Sequence, residues 1–120
     1  LKGVCAETAA SPISATSGPM KAFLDAYRAA YGSDPDAFAA AQYDAVGMLA
    51  QVIGQLRKEG RPVSGQAVRD RLASDTYRGV VTTYRSDGKG NMAHEAEIVC
   101  YDGTSRTPRP AARYEVPPRT

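Results

Sequence analysis

Apolar residues return along this chain at two different periods. From Pro19 to about Tyr31, Phe23, Leu24, Tyr27 and Tyr31 recur at helical spacing, and Gly32 follows as a left-handed stop. A longer helical pattern runs from Pro35 to about Lys58. Its inward stripe holds Phe38, Ala41, Gln42, Ala45, Leu49, Val52, Ile53 and Leu56, widened by Val46 and Met48. Ser64 predicts the N-cap of a third helix, 65 to about 74, with Val63 and Val68 spaced as a hydrophobic staple. Val68 and Leu72 supply its inward face. Elsewhere the pattern is that of strands. Residues 3–8 predict one strand, the β-branched run Tyr77 to Tyr84 a second, and Glu95 to Tyr101 a third. The turn-rich segment Ser86 to Asn91 joins the last two as a hairpin. Residues 9–18 read as loop, and the Pro- and Arg-rich stretch from Thr104 as an irregular or mobile tail. The division is thus 1–103 for the folded part and 104–120 for the tail.

The opening of the longest helix is the best-specified local feature. Asp34 is the expected cap, Pro35 suits the first helical position, and Asp36 adds negative charge beside the positive helix end. Phe38 is then presented on the first turn, with Gln42 one turn further on. Two readings stand: ordinary packing, or one wall of a ligand cleft. Gly54, inside the same helix, predicts either a close approach or simple tolerance.

The order is strand, three helices, hairpin. So few strands cannot cover three amphipathic helices. The fold class is therefore α/β, as a fragment whose missing sheet comes from a longer chain or a second copy.

Charge and chemistry narrow the functions. A net charge of +2, on scattered basic residues, does not predict nucleic-acid binding. No apolar run approaches the length of a membrane span. His94 stands alone, and Cys5 and Cys100 lie near opposite ends, so no metal-ligand cluster and no cofactor is expected. Gly88 and Gly90 belong to a turn and form no phosphate loop. Asp34 with Asp36 could be paired carboxylates, but capping explains both, so no enzyme is expected. The cysteines leave two readings open: a disulfide in an exported protein, or two small buried residues in strands.

The pieces in their order resemble a known family. They are Lys2-Gly-Val4, Met20-Lys-Ala-Phe23 with Tyr27 and Tyr31-Gly32, Pro35-Asp-Ala-Phe-Ala39, and Tyr43-Asp-Ala-Val46. Then come Gly65-Gln-Ala-Val-Arg-Asp70 with Leu72, Tyr77-Arg-Gly79, Asp87-Gly-Lys-Gly-Asn91, and Ile98 through Gly103. Together they resemble the C-terminal part of the type I periplasmic binding proteins, in the leucine/isoleucine/valine-binding group of ABC transporters.

The resemblance implies a C-terminal fragment of a two-lobed α/β fold, with residues near 3–8 at a hinge crossing. It implies that the three helices belong to one lobe and that the strand near 93–101 returns to the other. It implies a solute-binding component that takes branched-chain amino acids or a related solute by cleft closure. It implies an ABC permease as the partner of the full-length protein, and a periplasmic or extracytoplasmic location, secreted or lipid-anchored. Phe38 would border the cleft near the ligand side chain, with Gln42 facing the same way. Tyr43 and Asp44 would serve packing and helix polarity.

One departure is plain: relatives carry Phe-Asp-x-x-Gly-Asp where this chain has Ser86-Asp87-Gly-Lys-Gly90-Asn91. Two alternatives remain: a ligand-sensing domain with the same fold, or a helical interaction fragment that self-associates to cover its apolar faces.

Overall fold

The computed structural model describes residues 1–115. Its elements are β1 (Cys5–Thr8), a short 3-10 turn (Pro12–Ser14), α1 (Gly18–Tyr31), α2 (Ala37–Lys58) and α3 (Gly65–Ser74). They are followed by β2 (Thr76–Arg78), β3 (Thr83–Ser86), β4 (Met92–Ala93), β5 (Ala96–Cys100) and β6 (Arg109–Tyr114). The three helices lie where the periodicity puts them. Gly32 ends α1 in the left-handed region, and the Ser64 side chain accepts from the Ala67 N–H at 3.1 Å to cap α3.

Two antiparallel sheets form, ordered β1-β5-β6 and β2-β3-β4. The expected hairpin between the segments near 77–84 and 95–101 is not made. Instead β3 turns back onto the short β4, and β5 leaves to pair with β1 in register Cys5↔Cys100 through Thr8↔Glu97. The turn itself follows its sequence: Asp87 accepts from the N–H groups of Lys89 and Asn91, at 2.7 and 3.1 Å, and from the Asn91 side chain. These bonds pull the Asp87 carboxyl below its usual range, the Asn91 side chain contributing most.

The expected irregular tail is also corrected. Residues Arg109–Tyr114 form β6, which pairs with β5 over Ala96↔Tyr114 to Cys100↔Arg109. Arg113 reaches Glu95 across the ladder, a cross-strand pair that composition alone does not reveal. The last part of the expected tail, 116–120, lies outside the described residues.

The molecule divides into two units. Helices α1–α3 and sheet β2-β3-β4 make one; sheet β1-β5-β6 makes the other. The chain passes between them at residues 9–17 and 94–95. Phe23, Leu24, Ala40, Val52 and Leu56 are buried in the helical unit, and Ala10 and Val99 near the passages. The exposed area is 8032 Å², against about 6,200 Å² for a folded monomer of this mass. The radius of gyration is 16.7 Å, against about 14 Å for a compact domain of this length. Both quantities describe an α/β chain more open than a compact domain of its size, with uncovered faces.

Candidate ligand-facing site

The helix that carries Phe38 and Gln42 begins two residues later than the sequence suggests. Asp36, not Asp34, is the cap: its carboxyl accepts from the Ala39 N–H at 2.8 Å. Asp34 instead accepts from the Arg28 Nε at 2.6 Å and ties this turn to the end of α1. Pro35 lies before the cap and is buried. The first turn of α2 is thus held from both sides.

Phe38 is 80% exposed on that turn, and Gln42 is exposed one turn on, facing the same way. Val46 at 68% and Leu49 at 43% continue the same open face. The predicted stripe is real as a helical face, but only its far end, Val52 and Leu56, is fully buried here. In the first half of α2 the buried residues are Ala40 and Asp44, roughly 200° and 240° around the axis from Phe38 at 3.6 residues per turn. Tyr43 points elsewhere again: its ring lies 5.1 Å from that of Phe23, which continues to Tyr27 at 5.8 Å and Tyr31 at 4.6 Å. Tyr31 is 70% exposed, so it ends this ring series at the surface and is not core as its spacing predicts.

Asp44 is the residue whose role sequence reasoning missed. It is 0% exposed. Its carboxyl accepts from the N–H groups of Val80 at 2.7 Å and Val81 at 2.9 Å, and from the Tyr84 hydroxyl at 3.1 Å. The turn between β2 and β3 is closed by Gly79 N–H donating to the Thr82 carbonyl at 2.8 Å. A Cβ at Gly79 would fall 2.2 Å from the carboxyl, so only glycine lets this turn come so close. Here lies the reason that the expected strand from Tyr77 to Tyr84 is split. Its middle residues give their donors to Asp44 and not to a ladder.

Tyr84 supplies the third donor, and Tyr77 packs beside it with ring centroids 6.4 Å apart. Burial, and then the nearby Asp44 carboxyl, push the Tyr84 phenol well above its usual value. Tyr77 is raised for the same reasons, burial leading. A Cβ on Gly47 would meet the Tyr77 hydroxyl at 2.2 Å, so α2 and this tyrosine also need a glycine between them. Gly54 faces open space, which makes it a tolerated residue and not a contact. Ser86, at the end of β3, is buried, and its hydroxyl accepts from the Gly88 N–H at 3.0 Å.

A groove of about 620 Å³ runs between α2, α3 and the β3–β4 turn, lined by Met48, Leu49, Leu72 and Met92 with Arg69 and Asn91. Neither Phe38 nor Gln42 lines it. Among the described residues no cluster of histidine, cysteine or acidic side chains could hold a metal ion. No helix among them is long and apolar enough to cross a membrane. Cys5 and Cys100, opposed in the β1–β5 register, are joined in a disulfide. Both cysteines lie in strands, and they are paired.

Comparison with known proteins places this geometry. A family described as periplasmic binding protein matches residues 1–105. Among solved structures, a solute-binding protein of an ABC transporter from Rhodopseudomonas palustris BisB5, in complex with 3,4-dihydroxybenzoic acid, superposes with a TM-score of 0.78 at 17% identity. That match covers 95% of this chain and 31% of the other. The leucine-binding protein LivK from Thermotoga maritima MSB8 superposes with a TM-score of 0.68 at 19% identity, over 94% of this chain and 31% of that one. The chain therefore spans about a third of the length of each. No match is found among curated proteins.

Proposed function

The chain belongs to the periplasmic binding protein family, and on that premise we propose that it is part of the solute-binding component of an ABC transporter. The protein acts outside the cytoplasm and hands its solute to a membrane permease. It works by closing two lobes on a small molecule, without covalent chemistry. Phe38 and Gln42 form part of one wall of the cleft: the ring packs on the apolar part of the solute, and the amide meets a polar group beside it.

The observation that carries this reading is the exposure of Phe38, 80%, on a capped first turn. An aromatic ring on a rigid element is pre-organised for contact and loses little conformational entropy on binding. The ligand is a branched-chain amino acid or a related small solute. Aromatic acids are a second class, favoured by the resemblance to a structure that holds 3,4-dihydroxybenzoic acid and by the flat face that Phe38 offers to a ring.

Calorimetric titration of the full-length protein tests the proposal. Leucine, isoleucine, valine, their amides and benzoic acids are the panel. Saturable binding of one class supports the reading and selects between the two. No heat with any amino acid, amide or aromatic acid would overturn it.

A further inference from the structure

We propose that the Cys5–Cys100 disulfide is a register clamp on the joint between the two units. The chain joins them at 9–17 and 94–95, so the strands that flank those passages, β1 and β5, fix how the helical unit hangs from sheet β1-β5-β6. Strand β1 has four residues, and within this chain only Thr8 of it is even half-buried. Burial specifies register only where one face of a strand is covered. Within this chain no face of β1 is covered, and a slip of two residues would keep every side chain on its own face while moving the passage by about 7 Å.

The disulfide supplies what burial lacks. Cys5 stands directly opposite Cys100, with Cα–Cα 4.1 Å. The backbone bonds Tyr101 N–H to Val4 carbonyl and Gly3 N–H to Tyr101 carbonyl, each 2.9 Å, lie just beyond it. At the other end of β1 the start of the passage is held as well. The Thr8 hydroxyl bonds to the Ala10 backbone, and the Ser14 hydroxyl donates to the Pro108 carbonyl at 2.6 Å. The bond therefore sets the register, and the remaining freedom is bending within the passages.

The inference does not use the ligand reading, because its test needs no solute. Amide hydrogen exchange of the full-length protein is followed by mass spectrometry, oxidised and after dithiothreitol. In the reduction a dithiol thiolate attacks one sulfur and expels the other. Its second thiol then closes on the mixed disulfide, leaving two protein thiols and a cyclic disulfide. Thiol labelling counts the two thiols. The clamp predicts exchange at least tenfold faster in peptides covering 5–8 and 96–100, with α2 peptides changed less than twofold. The double variant Cys5→Ser/Cys100→Ser repeats the reading without reductant. Unchanged exchange in β1 and β5 would overturn the proposal. So would equal acceleration in α2, which would make the bond a general stabiliser, and so would two free thiols before reduction.

Discussion

Asp44 and Phe38 lie six residues apart on the same helix, and they differ in almost every physical respect. Asp44 is wholly buried and accepts hydrogen bonds from two backbone N–H groups and a phenol. Phe38 is 80% exposed. A buried polar side chain persists only when its partners are built around it, and here Val80, Val81 and Tyr84 are those partners, brought close by Gly79. An exposed aromatic on a rigid turn carries no such cost. The contrast teaches which side of α2 holds the lobe together and which is left for something else to meet.

The comparison is broken most directly at Asp44. Replacing it by Ala strands the Val80 and Val81 donors and should lower stability by about 3 kcal/mol, read by urea denaturation. Gly79→Ala should follow at about 2–3 kcal/mol, because the new methyl falls where the carboxyl stands. If either change is neutral, the Asp44 carboxylate is not what orders this turn.

Tyr84→Phe removes one donor of three and should cost about 1 kcal/mol. It also carries a pH signature. The phenol is raised in the folded state by burial and by Asp44. A raised value means that its contribution is fully present below the unfolded value, about 10, and is lost as pH rises above it. Wild type should therefore lose more stability than Tyr84→Phe between pH 10 and 12. Parallel stability curves for the two proteins would remove Tyr84 from the set of groups that hold Asp44.

A smaller effect is expected far from α2. Asp102 is drawn down to about 2 by the N–H groups of Ser105 and Thr104 and by the Thr104 hydroxyl, with Arg109 adding to them. A lowered carboxyl contributes stability above its unfolded value, near 3.9, and loses it as pH falls toward about 2. The Asp102 carboxyl resonance should titrate at the low end of that window, whereas a midpoint near 4 would mean that the turn does not form. The smallest effect on stability belongs to Phe38→Ala, within about 0.5 kcal/mol.

Local chemistry made much of this fold legible. Helical periodicity, the Gly32 stop, the Ser64 cap and the Asp87 turn are each decided within a few residues. The failures are non-local. The run from Tyr77 to Tyr84 has strand composition throughout, and only an acceptor more than thirty residues earlier divides it. Arg109–Tyr114 reads as tail because Pro and Ala are poor strand formers, and becomes β6 only because β5 offers an edge. The cap at Asp36 in place of Asp34 is a boundary error of the usual size. Phe38 and Gln42 were legible as a shared helical face. That this face is open is a matter of tertiary packing, which the helical period alone does not encode.

The central claim is that this open face meets the solute, and one comparison tests it. Full-length wild type and Phe38→Ala are titrated by calorimetry with whichever solute the panel identifies, and their melting temperatures are recorded alongside. The account predicts affinity at least tenfold weaker in the variant with melting unchanged. Equal affinities in the two proteins would contradict it.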